Sequence, residues 1–115
     1  MIEVGDYVRT RNGKIRKVKS TVAQYYITDR LNISDNNQFE KEDIVKHSKN
    51  ITDLIEVGDV IEVHFPVRNT IRKIYADEYF KDSMILNGII SGNVILKTIL
   101  TKEQYMQNCY KIDTN

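Results

Sequence analysis

The chain alternates polar and apolar residues in short stretches, the pattern of half-buried strands. Over Tyr7–Arg11, Val8 and Thr10 face one way, and Tyr7, Arg9 and Arg11 face the other. Val60–Phe65 alternates cleanly, with Ile61, Val63 and Phe65 inward. Asn12-Gly13 predicts a type I′ hairpin turn, which needs positive φ at both central residues. The return strand is Lys14–Lys19, where Ile15 and Val18 share a core face only if a bulge or twist intervenes. Further strands are expected at Gln24–Thr28, after the turn that follows Phe39, and at Thr70–Tyr75. Residues 83–90 and 94–100 read as a hairpin joined at Ser91-Gly92-Asn93. Residues 32–38 form a polar loop. One helical turn is expected over Thr52–Ile55. Thr101-Lys102-Glu103-Gln104 is a capping box that opens a short helix ended by Asn108, and Tyr110–Ile112 is expected to close the second sheet.

The pattern occurs twice. Ile2-Glu3-Val4-Gly5-Asp6 returns as Ile55-Glu56-Val57-Gly58-Asp59, an offset of 53. Ile15-Arg16-Lys17-Val18 returns as Ile71-Arg72-Lys73-Ile74, offset 56, and Lys41-Glu42-Asp43 weakly as Lys102-Glu103-Gln104, offset 61. Rising offsets are what a duplicated unit gives after loop insertions, and internal repetition governs the fold assignment. Val8 aligns with Ile61 and Thr10 with Val63, so the inward face is kept. Arg9 aligns with Glu62 and Arg11 with His64, so the outward face has changed. The expected fold is mainly β: two tandem small SH3-like barrels with short helical turns, one over residues 1–50 and one over 51–115. A five-stranded oligonucleotide-binding barrel is disfavoured because each unit is short.

Composition narrows the function. A net charge of +1 excludes whole-molecule polycation behaviour, yet residues 1–20 hold six basic and two acidic side chains. Cys109 is the single cysteine, which removes intramolecular disulfides and cysteine-based zinc sites. His47 and His64 have no metal-ligand spacing, Glu40, Glu42 and Asp43 read as a solvated turn, and there is no Gly-rich phosphate loop. The expectation is a protein without catalytic activity, metal or cofactor. No signal peptide and no apolar run of membrane-spanning length are apparent, which points to a reducing cytoplasm.

Val4-Gly5-Asp6-Tyr7-Val8-Arg9-Thr10 with Asn12-Gly13 resembles the opening of SH3-like domains of the KOW and Tudor-like kind. More broadly, the opening, residues 45–59 and the ending Leu100-Thr101-Lys102-Glu103-Gln104-Tyr105 resemble a group of small phage and prophage proteins of low-GC Gram-positive bacteria, clostridial in type. That resemblance covers about half the chain. It implies a setting, the host bacterial cytoplasm, and no mechanism.

Binding is the expected activity. Tyr7, Arg9, Arg11, Lys14, Arg16 and Lys17 on one hairpin supply a ring for stacking and cations for phosphate. They suit a small anionic ligand of the nucleotide type, and Val60 and Glu62 make the basic surface one-sided, which disfavours a long nucleic-acid track. Tyr75, Tyr79 and Phe80 are the candidate interface. The readings that follow are an accessory binding protein that sequesters a nucleotide-type immune signal as counter-defence, an inhibitor or adaptor of a host protein, and a KOW-like nucleic-acid module. A homo-oligomer with pockets at subunit seams suits the first.

Overall fold

The computed structural model describes residues 1–108. Cys109 and the strand expected at Tyr110–Ile112 lie outside the described residues. The chain divides into two compact units after Ile55, so the 3₁₀ turn Ile51–Leu54 goes with the first unit rather than opening the second.

The first unit is a five-stranded antiparallel sheet. Its strands are β1 (Tyr7–Thr10), β2 (Ile15–Val22), β3 (Tyr25–Thr28), β4 (Gln38–Glu40) and β5 (Ile44–Ser48), in the order β4-β3-β2-β1-β5. The long β2 serves both halves: Ile15–Lys17 pair with β1, and the stretch from Val18 to Val22 pairs with β3, with a register shift between Val18 and Ser20. A 3₁₀ turn, Lys41–Asp43, joins β4 to β5. The second unit is a three-stranded antiparallel sheet of β6 (Val60–Phe65), β7 (Thr70–Tyr75) and β8 (Ile95–Leu100), in the order β7-β6-β8. Helix α1 (Met84–Ser91) precedes β8 and α2 (Lys102–Asn108) follows it. The molecule is mainly β, as expected. Neither sheet closes on itself: β4 and β5 are the edges of one, β7 and β8 of the other.

The doubled Gly-Asp has a physical basis. In each unit the glycine takes positive φ, +92° at Gly5 and +101° at Gly58, a conformation that costs other residues a clash at Cβ. The following aspartate then ties the turn together. Asp6 Oδ2 accepts from the Glu3 amide at 3.0 Å, and Asp59 Oδ2 from the Glu56 amide at 2.8 Å. The glycine amide donates to the return strand, to Val18 O in one unit and Ala76 O in the other. Asp6 O and Asp59 O accept from the Val18 and Ala76 amides, both at 2.8 Å. Val18 and Ala76 are therefore equivalent, and the second hairpin is longer by five residues. The Ile-Arg-Lys echo is displaced by two residues from this equivalence, an even shift that keeps its facing.

The third strands also correspond. Tyr7 faces Lys17 and Ser48, and Val60 faces Tyr75 and Leu100. Each third strand slips register at the same place, between Arg9 and Thr10 in one unit and between Glu62 and Val63 in the other. The repeated frame is a hairpin, a closing strand and the helical segment after it. The third sequence echo does not belong to this frame: Lys41–Asp43 precedes a closing strand, whereas Lys102–Asn108 follows one. What lies between the second and closing strands differs, β3 and β4 in one unit and α1 in the other.

Three expectations are corrected here. Residues 83–90 are helical, not a strand: Ser83 Oγ accepts from the Leu86 amide at 3.1 Å, and Gly92, at φ 89°, ends α1 in the left-handed conformation. Its Leu86 is buried with Ile61, Val63, Ala76, Phe80 and Val94 in the core of the second unit. The Asn12-Gly13 turn is not type I′, since only Gly13 has positive φ. The Gly13 amide bonds Thr10 O at 3.0 Å and the Thr10 amide bonds Lys14 O at 2.8 Å, the three-residue loop with a glycine bulge. On β2, Arg16 rather than Ile15 is buried with Val18, because Val8 lies opposite Arg16. The Thr101 capping box forms as expected, with the Thr101 amide on Gln104 Oε1 at 3.1 Å and the Gln104 amide on Thr101 Oγ1 at 3.3 Å.

Candidate functional site

The six residues expected to form an anion site lie close together, but the first unit uses their functional groups internally. Arg9 is the largest departure. The alternation places it outward, yet it is 1% exposed and its guanidinium donates to Leu54 O at 2.9 Å. Alternation assigns a side chain to a face but is silent on what covers that face, and here the Ile51–Leu54 turn lies against β1 and β5. Arg16 is also buried, with its guanidinium on Asp35 Oδ2 at 2.7 Å and Ile15 O at 2.9 Å. Lys14 pairs with the other oxygen of Asp35 at 3.0 Å and lies 6.0 Å from the Phe39 ring centre. Arg11 is exposed, and two nitrogens of its fork hold Glu42 O at 2.7 and 3.2 Å. Lys17 sits over the ring of Tyr7, its partner across the strands, at 5.6 Å. The polar loop that supplies Asp35 thus ties up Lys14 and Arg16.

Two carboxylates in this unit have depressed pKa values. The Lys49 ammonium, 2.7 Å from Asp6 Oδ1, together with the Glu3 amide and His47 Nδ1, lowers Asp6 to about 2. Burial pushes Asp35 up, but Lys14, the Leu31 amide and Arg16 outweigh it and bring that group also to about 2. Folded values below the ordinary 3.8 mean that the unfolded chain takes up these protons first as pH falls. The stabilisation is whole above about pH 5 and is lost as pH drops through about 4 to 2. The urea midpoint of the first unit is therefore expected to be flat from neutrality to about pH 5 and to fall steeply below it. Asp35→Asn, which keeps the shape without the charge, flattens part of that fall; an unchanged acid limb would show that the Asp35 pairs carry no folding free energy.

The second unit holds a different arrangement. Phe65, Arg68, Thr70, Ile71 and Arg72 surround a recess of about 560 Å³. Phe65 and Thr70 are cross-strand partners, Arg72 lies opposite Val63 on β6, and Arg68 comes from the enlarged hairpin loop. That loop is pinned by the Asn69 amide on Pro66 O at 3.2 Å and by Asn69 Oδ1 to His64 Nε2 at 3.2 Å. Neither the Arg68 nor the Arg72 side chain makes a hydrogen bond or ion pair with any described residue, both are exposed, and Phe65 is half-buried. Two uncommitted guanidinium forks beside an aromatic ring are suited to a phosphate-bearing ligand with a planar group. Sequence reading passed over this pair because it followed charge density along the chain. The usable signal was the loop enlargement that placed Arg68 beside Arg72.

A second recess, of about 490 Å³, lies in the first unit between Tyr26, Lys41 and residues 44–47 of β5. Of the expected interface residues, Tyr75 and Tyr79 are exposed at 62% and 69%, whereas Phe80 is 5% exposed and belongs to the core, a correction. No group of His, Cys, Asp and Glu among the described residues could hold a metal ion, and none of their helices is long and apolar enough to cross a membrane. No family model, curated protein or solved structure matches the chain.

Proposed function

We propose that this chain is a non-enzymatic binding protein for a small phosphate-bearing ligand of the nucleotide class, held by the second unit at Phe65, Arg68 and Arg72. The observation that carries it is the contrast between the two hairpins. The basic residues of the first are engaged on Asp35, Leu54 O, Glu42 O and Tyr7, while the guanidinium groups of Arg68 and Arg72 in the second have no hydrogen-bond or ion-pair partner among the described residues. The setting suggested by the resemblance, a phage or prophage accessory protein in the host bacterial cytoplasm, fits stoichiometric capture of a nucleotide immune signal. The SH3-like reading is supported in the first unit by the strand order and by the 3₁₀ turn before β5, and in the second by the shared three-stranded frame.

The test is a thermal-shift and calorimetric screen against nucleoside polyphosphates, cyclic nucleotides and ADP-ribose derivatives. At least one class is expected to raise the melting temperature. A charge-assisted contact is worth about 1.5–3 kcal/mol, so Arg68→Ala and Arg72→Ala should each weaken binding by roughly tenfold or more. Arg11→Ala in the first hairpin should leave it within about twofold. A melting curve that no member of the panel moves would sink the proposal. The exposed Tyr75 and Tyr79 favour a second reading, an inhibitor or adaptor of a host protein. A KOW-like nucleic-acid role is the least supported, since its cations are the engaged ones.

A further inference from the structure

The outward face of the second sheet is built as three rows. Tyr75, Val60 and Leu100 form one, and Ile71, His64 and Ile95 another. Between them lies the polar row Lys73, Glu62 and Thr98. Ile71 is 61% exposed, Tyr75 62%, Ile95 42% and Leu100 41%. Large apolar side chains clustered on one open sheet face are unusual on a monomer and mark an interaction surface. The equivalent face of the first unit carries Tyr7, Lys17 and Ser48 in one row and Arg9, Ile15 and Lys46 in the next, and its central Arg9 is covered. The two copies keep one frame while this face has changed from basic to apolar.

The charges on the face indicate what covers it. Lys73 and Glu62 are direct cross-strand partners, yet they form no ion pair with each other or with any described residue. A two-fold axis parallel to the strands, midway between β6 and β7, lays Lys73 over Glu62 of a second copy and Glu62 over its Lys73. The same operation sets Tyr75 on Val60 and Ile71 on His64. Opposite charges are then satisfied reciprocally, as an isologous interface requires. A partner of uniform charge would leave one of the two groups facing its like. From this geometry we infer that the β7-β6 part of this outward face is the dimer interface of a homodimer of this chain, with Lys73 and Glu62 as its reciprocal ion pairs and Leu100 and Ile95 of β8 at its rim. Ile71 belongs both to this face and to the lining of the recess, whereas Phe65, Thr70 and Arg72 lie on the other face of the sheet. The interface itself does not depend on what the recess binds.

Sedimentation equilibrium of the full chain at several concentrations tests this. The wild type is expected at twice 13.4 kDa. Tyr75→Arg, at an exposed position, halves that mass. Lys73→Glu and Glu62→Lys each raise the dissociation constant at least tenfold, and the double exchange restores dimerisation. Circular dichroism melts of each variant establish that they are folded. A folded wild type that stays monomeric up to about 100 μM, weaker than a standard-sized interface gives, overturns the inference, even if it captures another protein. So does a dimer indifferent to Tyr75→Arg, or a double exchange that fails to restore association. Arg68→Ala with Arg72→Ala leaves the mass unchanged, so failure of the nucleotide screen and failure of the dimer are read separately.

Discussion

Asp59→Ala lowers the stability of the second unit by about 3–5 kcal/mol. Asp59 is fully buried, and its two oxygens accept the Glu56 amide at 2.8 Å and the Lys102 amide at 2.9 Å. Alanine removes the acceptor and leaves both amide donors without it. Losing a charged acceptor costs roughly 1.5–3 kcal/mol per bond. A unit of this size has a total stability of only about 3–9 kcal/mol. The expected state is a second unit that has lost fixed packing, seen as collapsed amide dispersion in NMR spectra and loss of exchange protection for β6 and β8. Asp59→Asn keeps one acceptor oxygen and should lose about half as much. If Asp59→Ala unfolds within about 1 kcal/mol of wild type, the tie between the Gly-Asp turn and the start of α2 is not what holds the unit.

Arg9→Ala costs the first unit about 3 kcal/mol. Two losses add. The aliphatic stem leaves a void in a site that is 1% exposed, and Leu54 O, which the guanidinium reaches at 2.9 Å, loses that donor. Arg9→Met separates the two, since it refills most of the volume without donating. Methionine should recover about half of the loss, and the remainder measures the hydrogen bonding. The Ile51–Leu54 turn is where the effect should appear first, as faster amide exchange. An Arg9→Ala protein within about 0.5 kcal/mol of wild type would mean that the buried guanidinium is energetically idle. The same variant should leave nucleotide-induced shifts intact, which distinguishes a structural arginine from a ligand-binding one.

The repeat was readable because its five residues specify a backbone arrangement: a glycine at positive φ and a carboxylate that folds back on the residue three before it. Its alternation also fixed the inward set, and Val8, Ile61, Thr10 and Val63 are all buried. Helix α1 was not readable from periodicity. Met84–Leu86 and Ile89-Ile90 are short apolar stretches either side of Asn87-Gly88, a pattern that suits a buried strand or one helix face equally. The deciding residues were the Ser83 cap and Gly92. The candidate site was misplaced for a related reason. Charge density along residues 9–17 is visible in the sequence, but whether those charges are spent is decided by Asp35, Glu42 and Leu54, which are distant in the chain. Arg68 and Arg72 carry less charge density and more unspent capacity.

The frame common to both units has an evolutionary consequence. Asp6 with Lys49 and Asp59 with Lys102 span the same 43 residues, although between the second and closing strands one span contains two strands and the other a helix. The carboxylate joins the two ends of the span and makes few demands on its interior. A gene segment with that property can exchange its interior while its borders stay under selection. Duplicates of it are free to diverge where a new function needs surface, without refounding the fold each time.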